Sequence, residues 1–235
     1  MIDWYFDLDR DERSGTNWSL PGPPYKFIEK IVVVFSSFAC LGIAMDQNEF
    51  NKLHKLYQVP GNTLLYAISP RLGRHFAERF YRLVVLECCT GAGFLTIELA
   101  KRASKVVTIE MDEEALKAAQ HNVKLAGVES NVQFFHGDVF DPKTLAKLPH
   151  VDAAILDPVW GESIANMSPP ADLLVQTIKV YTRNIALILP PTTDPKTIAS
   201  FASDEVERLY LDGEIALICL YMGKLAKTSQ STFKA

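Results

Sequence analysis

Five apolar stretches, each ending at or beside a polar residue or a turn, constrain the fold of this chain more than any other feature. They are rich in Val, Ile and Leu, are separated by helical stretches, and cover residues 83–87, 105–111, 132–138, 151–157 and 184–190. Strands that alternate with helices predict right-handed crossovers and a parallel sheet. Glu87, Glu110 and Asp157 each stand at such a strand end. Because the carboxyl ends of parallel strands meet at one edge, we expect these side chains to line a single crevice.

The carboxyl-terminal part follows a different pattern. Residues 206–211 and 215–222 are apolar and flank Asp212-Gly213, a dipeptide typical of a two-residue hairpin turn. A hairpin after five alternating strands adds one antiparallel strand to a mostly parallel sheet. This order predicts an α/β fold. By analogy at the level of the fold, it resembles the Rossmann-like sheet of class I methyltransferases more than that of dinucleotide dehydrogenases.

One helix is well defined by its spacing. Residues 113–126 place Leu116, Ala119 and Val123 on one face, and Asp112 stands where an N-cap is needed. The sequence therefore predicts a helix that packs on the sheet directly after the second strand.

Size and composition fit one domain with an appendage. Of the 235 residues, 48% are hydrophobic and 22% are charged, which is enough apolar material for a sizeable core. Residues 1–55 are irregular and broken by prolines, and we interpret them as an amino-terminal segment before a domain over residues 56–235. The formal net charge of −4 predicts no general attraction for nucleic acid, so any RNA contact is expected to be local.

Export, membrane insertion and metal binding are not indicated. Residues 1–13 lack the basic flank and apolar stretch of a secretory signal. The apolar run 31–45 is shorter than the roughly 18 residues that a spanning helix needs. The four cysteines form no C-x-x-C pair and no cluster with histidine, which disfavours a zinc site and a disulfide framework and favours a reducing compartment.

The turn after the first strand is rich in glycine. Gly91 and Gly93 allow a tight turn and close approach to a ligand, and the helix that follows presents its amino-terminus to a carboxylate such as that of methionine. Thr96 stands where a dinucleotide fingerprint has its third glycine, so a dinucleotide is disfavoured. The alternative is that the two glycines only form a strand-to-helix turn.

Acidic residues at the strand ends complete a site suited to S-adenosylmethionine. Glu87 is expected to accept a hydrogen bond from the ligand's amino group, and Glu110 to accept from both ribose hydroxyls. Asp138 is placed to read the adenine amine, although it could instead only cap a turn. Met111, next to Glu110, is assigned to the same cofactor site.

Residues after the fourth strand suit chemistry on a flat base. Asp157 can accept a hydrogen bond from an exocyclic amine and aim its lone pair, while Trp160 can stack on the base. Pro158 is expected to stiffen the turn. The alternative is that Asp157-Pro158 only ends a strand and that Trp160 packs under the helix that contains Asp172.

These residues resemble the trimethylguanosine synthase family, the RNA cap guanine-N2 methyltransferases, over residues 56–227. The similar segments, in chain order, are Tyr66-Ala67-Ile68-Ser69-Pro70, Gly91-Ala92-Gly93, Val107-Thr108-Ile109-Glu110-Met111-Asp112, Phe135-His136-Gly137-Asp138, Asp157-Pro158-Val159-Trp160-Gly161, the strand 184–190 and Leu220-Tyr221-Met222-Gly223. The Pro-x-Trp-Gly passage and the strand 184–190 are the most family-specific of them.

The resemblance implies an enzyme that uses S-adenosylmethionine; no metal is expected, because the Cys and His residues show no ligand spacing. It implies methyl transfer to the exocyclic amine of guanine in RNA, with a 7-methylguanosine cap as acceptor and a location in the nucleus or cytoplasm. It also implies that Trp160 and Ser69 contact the substrate, while Asp157, Pro158 and Trp160 form the catalytic passage.

Two departures from the family pattern leave alternatives open. The family's Ser-Pro-Pro-Trp-Gly-Gly-Pro stands here as residues 157–163 with Asp157, Val159, Glu162 and Ser163 at the changed positions. Its Leu-Pro-Arg stands as Leu189-Pro190-Pro191. One alternative is a non-catalytic scaffold or RNA-binding protein with a degenerate active site. Another keeps catalysis but moves it to tRNA, rRNA or a small amine.

Overall fold

A twisted sheet with helices on both faces forms the core. The computed structural model describes residues 57–60, 67–160 and 167–235. In that part of the chain eight strands lie in the order β3-β2-β1-β4-β5-β7-β6-β8. In chain order they are β1 (Val84–Cys88), β2 (Lys105–Glu110), β3 (Val132–His136), β4 (Ala153–Leu156), β5 (Ile185–Leu189), β6 (Glu205–Leu211), β7 (Glu214–Met222) and β8 (Gln230–Lys234).

The pairing confirms the predicted fold class. Strands β1 to β5 pair in parallel, and β7 pairs antiparallel with both β5 and β6. The turn between β6 and β7 has positive φ at both Asp212 (52°) and Gly213 (90°), as a two-residue hairpin of the predicted type requires. Among the described strands, β7 is therefore the one that runs against the others.

Helices cover both faces of the sheet. They are α1 (Pro70–Arg79), α2 (Phe94–Ala100), α3 (Glu113–Leu125), α4 (Pro142–Leu145), α5 (Ala171–Ile178) and α6 (Pro195–Ser200). The predicted helix after β2 is α3, and Asp112 caps it by accepting a hydrogen bond from the Ala115 backbone N–H at 2.8 Å.

The alternation of side chains along β5 divides the interior into two cores. Ala186 and Ile188 point into the core beneath α1 and α2, whereas Ile185, Leu187 and Leu189 point into the core beneath α5. All five are completely buried. A strand that is buried on both faces has a continuous apolar sequence, and for this reason β5 could be predicted from the sequence alone.

Strand β8 was not predicted, because its sequence Gln-Ser-Thr-Phe-Lys is mostly polar. It lies at the edge of the sheet, parallel to β6. Tertiary contacts hold it there: the Phe233 ring stacks on His75 with centroids 3.8 Å apart, and the Ser231 hydroxyl donates to Glu205 at 2.5 Å.

A buried ion pair joins α1 to β6, the strand next to β8. The Arg79 guanidinium donates to both carboxylate oxygens of Glu205, at 2.8 and 2.9 Å, and lies 4.2 Å from the centroid of the Tyr221 ring. Burial alone would raise the pKa of Glu205, but hydrogen bonds from Arg79 and Ser231 outweigh it and lower the pKa to about 2. The pair therefore stays ionised and fixes α1 on the sheet.

The amino-terminal predictions lie outside the described residues. They comprise the appended segment 1–55, its apolar run 31–45 and the first residue of domain 56–235, so this boundary stays a prediction. None of the helices in the described ranges combines the length and the apolar character that a membrane-spanning segment requires.

Candidate functional site

A cavity of about 660 Å³ opens at the carboxyl edge of β1 to β4. Its described lining comes from the loops that follow these strands and the first turns of α2 and α3, together with Ala67, Ile68 and residues 168–170. Five predicted site residues line it together: Gly91, Glu110, Met111, Asp138 and Asp157. The other five, Glu87, Gly93, Pro158, Trp160 and Ser69, are not among the described lining residues.

The two glycines of the loop have different tasks. Both have positive φ, 54° at Gly91 and 80° at Gly93. A Cβ at Gly91 would meet nothing within 4 Å in the described part, whereas one at Gly93 would lie 3.0 Å from the Ala119 Cβ of α3. The missing side chain at Gly91 thus leaves space for a ligand at the cavity wall. The missing side chain at Gly93 allows the loop to pack on α3.

The Glu110 carboxylate is held in place at the cavity wall. One oxygen accepts from the Gly91 backbone N–H at 2.8 Å, and the other accepts from the Asp112 backbone N–H at 2.9 Å. Each carboxylate oxygen has a second lone pair. The group can therefore accept two further hydrogen bonds, which matches the pair of ribose hydroxyls predicted for it.

Asp138 and Met111 stand on the neighbouring wall. The Asp138 side chain accepts from the Phe140 backbone N–H at 2.8 Å, so it forms a turn, and it also lines the cavity. Met111 is 67% exposed although it is a large apolar residue. Its flexible thioether gives an adaptable apolar surface for a flat ring.

Glu87 lies beneath the glycine loop and not in the cavity. It is 1% exposed, and the Thr96 hydroxyl of α2 donates to its carboxylate at 2.6 Å. Burial raises the pKa of Glu87 to about 7. This placement differs from the predicted contact with a ligand amino group, because the carboxylate is enclosed between β1 and α2. From the sequence, Thr96 indicates only that a dinucleotide fingerprint is incomplete. In the structure it is the hydrogen-bond partner of Glu87.

Asp157 faces the cavity from the end of β4. Burial, and after it the negative charge of Glu87, raises the pKa of Asp157 well above its usual range. No hydrogen-bond donor reaches the Asp157 carboxylate among the described residues, whereas Glu110 and Asp138 each have backbone donors. Asp157 is therefore the lining carboxylate best prepared to accept a hydrogen bond from a ligand.

Trp160 differs most from its predicted position. Val159 and Ser168 exchange two backbone hydrogen bonds of 2.9 Å and both line the cavity. Successive side chains of an extended chain point to opposite sides, so Trp160 turns away and packs against both hydrophobic cores. Its indole N–H is buried and has no acceptor among the described residues. This arrangement is close to the alternative in which Trp160 packs under the helix that contains Asp172.

Pro158 and Ser69 are also off the cavity. Pro158 is buried. Ser69 is completely buried and caps α1, where its hydroxyl accepts from the Arg71 backbone N–H at 3.2 Å. Its neighbours Ala67 and Ile68 are the ones that reach the cavity. Gly161, Glu162 and Ser163 lie outside the described residues.

Several lining residues were not singled out from the sequence, among them Ile68, Val139, Phe140, Pro169 and Pro170. They are apolar or small residues in loops, and nothing in their spacing marks them. Across the described residues, no group of His, Cys, Asp and Glu side chains is arranged to hold a metal ion.

The same fold occurs in a crystal structure of a candidate methyltransferase from Porphyromonas gingivalis W83. That structure is 20% identical, with a TM-score of 0.65 over 89% of this chain and 53% of the other. The chain is also 33% identical over 101 residues to the release factor glutamine methyltransferase of Bacillus cereus, and 33% identical over 110 residues to tRNA (uracil-5-)-methyltransferase homolog A of Mus musculus. These two matches cover 41% and 45% of this chain but 33% and 17% of the relatives. The chain thus spans about half of the crystallised relative and a third or less of the two curated ones.

Fold and site define a class I methyltransferase, and the cofactor of this class is S-adenosylmethionine. The cavity fits that cofactor, since Gly91 leaves open space beside the fixed carboxylate of Glu110. The model of the RNA cap guanine-N2 methyltransferase family matches residues 82–224, more than half of the chain, and the protein belongs to that family.

Proposed function

We propose that this protein methylates the exocyclic amine of guanine in RNA, with a 7-methylguanosine cap as acceptor and S-adenosylmethionine as methyl donor. The family match supports this substrate, and the tRNA methyltransferase among the similar proteins is consistent with an RNA acceptor. The observation that carries the proposal is the Asp157 carboxylate, which lines the cavity without a hydrogen-bond donor among the described residues.

When bound, S-adenosylmethionine supplies a methyl group activated by its sulfonium. The chain's own contribution is to orient the acceptor: the Asp157 carboxylate accepts an N–H of the exocyclic amine and directs the nitrogen lone pair. A carboxylate with a raised pKa is also a suitable acceptor for the proton that the amine loses once it is methylated. Orientation and removal of one proton are thus assigned to the same side chain.

The cavity that Asp157 lines is rich in apolar side chains. Ile68, Val159 and Pro169 line the cavity with it. A flat heterocycle can bury its faces against such side chains while its amine reaches the carboxylate. In this arrangement the apolar lining takes the packing role that the sequence assigned to Trp160.

A methyl-transfer assay tests the proposal. Full-length protein is incubated with tritiated S-adenosylmethionine and with capped or uncapped RNA of the same sequence. We expect label in capped RNA, about a hundredfold less of it with Asp157→Asn, and an unchanged rate with Asp172→Asn, which alters an exposed carboxylate on α5. Equal labelling of both RNAs would contradict the cap as acceptor, and full activity of Asp157→Asn would contradict the assigned role of Asp157.

A second candidate function is a non-catalytic methyltransferase-like scaffold. The inward position of Trp160 favours it, because the residue expected to hold the base is packed against the cores. Calorimetry with S-adenosylmethionine separates the two candidates in one direction, since absence of binding leaves only the scaffold. If the cofactor binds, the methyl-transfer assay decides between them, because a scaffold transfers no label to RNA.

A further inference from the structure

Asn122 is a buried polar residue on the face of α3 that packs towards the glycine loop. It lies between Ala119 and Val123 on the apolar face of the helix and is completely buried. A buried carboxamide is costly unless its donors and acceptor are satisfied. Its hydrogen bonds therefore show what the residue holds together.

The Asn122 side chain joins three separate parts of the chain. Its amide nitrogen donates to the backbone carbonyl of Ala92 at 2.9 Å and to that of Gln58 at 2.7 Å. Its carbonyl oxygen accepts from the Gln58 backbone N–H at 2.8 Å. Both amide protons are used, and both backbone groups of Gln58 are paired by one side chain, much as a neighbouring strand would pair them.

The Ala92 carbonyl lies between the two glycines of the loop, so this bond fixes the peptide that connects them. The loop is tied to β2 on its other side, where Cys89 and Thr90 donate backbone N–H groups to the Ile109 carbonyl at 3.1 and 3.4 Å. Asn122 thus adds a hydrogen bond from α3 to those that the loop makes with β2.

The segment that contains Gln58 reaches the loop by a second contact. The Tyr57 ring lies edge-on to the ring of Phe94, the first residue of α2, with centroids 5.8 Å apart. Residues 57–60 therefore dock beside the helix that follows the glycine loop, and Asn122 binds both the segment and the loop through adjacent hydrogen bonds.

We infer that Asn122 is a positioning residue that holds the glycine loop in its binding shape and couples the docking of residues 57–60 to the cofactor site. It touches no reacting atom; it acts through the Ala92–Gly93 peptide. The inference rests on the proposed function only in taking S-adenosylmethionine as the probe.

The test compares Asn122→Ala with a matched control, Asn184→Ala. Asn184 also bridges two backbone segments, donating to the Asp152 carbonyl at 2.8 Å and accepting from the Lys224 N–H at 2.9 Å, and it is not among the lining residues. By calorimetry we expect Asn122→Ala to raise the Kd for S-adenosylmethionine about tenfold and Asn184→Ala to change it less than twofold. An equal effect of both variants would overturn the inference, because it would show a merely structural role.

Asn122→Asp gives a second test, the pH dependence of the Kd for S-adenosylmethionine, which a general loss of stability would not produce. Its ionised carboxylate has no proton to donate to the Ala92 and Gln58 carbonyls, whereas its protonated form has one. Burial raises the pKa of such a group, so, relative to wild type at each pH, affinity for S-adenosylmethionine should recover severalfold as pH falls from 8 to 5. A Kd ratio that does not change with pH would count against the positioning role.

Hydrogen exchange of the cofactor-free protein separates this inference from the proposed function. Loss of the Asn122 amide should speed exchange at the Gln58 and Gly93 N–H groups at least tenfold, and Asn184→Ala should leave both unchanged. This result holds even if wild-type protein binds no S-adenosylmethionine, an outcome that would overturn the proposed function alone. Unchanged exchange at both sites in Asn122→Ala would overturn the coupling.

Discussion

The Thr96 hydroxyl donates to the buried Glu87 carboxylate at 2.6 Å, joining the first helix after the glycine loop to the strand before it. Thr96 is itself completely buried. A hydroxyl donor satisfies one carboxylate oxygen but supplies no positive charge. The carboxyl group of Glu87 beneath the glycine loop therefore lies in surroundings that disfavour its ionised form.

The stability of the protein should fall as pH rises through the titration of Glu87. The folded-state pKa of about 7 lies above the ordinary value of 4.5, so between these values the folded state holds a proton that the unfolded state has lost. The contribution of Glu87 protonation to the free energy of unfolding is fully present below pH 4.5. It is lost as pH rises to 7. Glu87→Gln should remove this slope and be more stable than wild type at pH 8 by about 1–3 kcal/mol.

Urea denaturation across this pH range measures the effect, with the exposed Glu129→Gln as control. The control should follow the wild-type curve. If Glu87→Gln keeps the wild-type slope between pH 4.5 and 7, Glu87 is not the group responsible.

Alanine substitutions at the two loop glycines should affect different properties: Gly91→Ala mainly cofactor affinity, and Gly93→Ala mainly the free energy of unfolding. Gly91→Ala places a methyl in open space at the cavity wall, so we expect about 1 kcal/mol of strain from its positive φ and a Kd for S-adenosylmethionine at least tenfold higher. Gly93→Ala should cost about 2–4 kcal/mol, because the new methyl also meets Ala119 at 3.0 Å.

Gly127→Ala is the matched control, since Gly127 has φ of 71°, open surroundings in the described part, and a place outside the cavity lining. Urea denaturation and calorimetry should show that it loses as much stability as Gly91→Ala but keeps full affinity. A loss of affinity in Gly127→Ala would mean that strain alone explains the result at Gly91.

The buried Arg79 should contribute far more to the free energy of unfolding than the exposed Arg102. Arg79→Met leaves the Glu205 charge buried with fewer donors, and we expect a loss of about 3–5 kcal/mol. Arg102→Met breaks only the exposed pair with Glu78 and should cost less than about 1 kcal/mol. Urea denaturation at pH 7 compares them, and similar losses in both variants would contradict the role given to the buried pair.

Methyl transfer should rise with pH through the raised pKa of Asp157. The ionised carboxylate is the form that accepts the amine N–H, so the rate falls as pH drops through that pKa. Removing the neighbouring charge in Glu87→Gln should lower the pKa of Asp157 and move the acid limb to lower pH. Rates at saturating cofactor from pH 4 to 9 test this, and an acid limb that persists in Asp157→Asn would assign it to another group.

Much of this fold follows from local sequence, and the exceptions have physical causes. The parallel strands were predicted because strands buried on both faces read as apolar runs, and the hairpin because Asp212-Gly213 suits positive φ at both positions. Strand β8 was missed because a polar edge strand depends on tertiary contacts such as Phe233 on His75.

The site was predicted less completely than the fold. Strand ends indicate which residues lie near one edge of the sheet, and Glu110 and Asp157 both line the cavity there. They do not say which way a side chain points, so Glu87 turns beneath the loop and Trp160 turns into the cores. Asn122 could have been noticed as a polar residue on the apolar face of α3, where a buried amide requires partners.

Calorimetric titration of the full-length protein with S-adenosylmethionine tests the central claim most directly. We expect one site in wild-type protein, a Kd about tenfold higher in Glu110→Gln, because the amide loses an acceptor for the ribose hydroxyls, and no change in Glu129→Gln. Absence of binding to the wild type, or equal affinity of Glu110→Gln and wild type, would contradict the assignment of this cavity as the cofactor site.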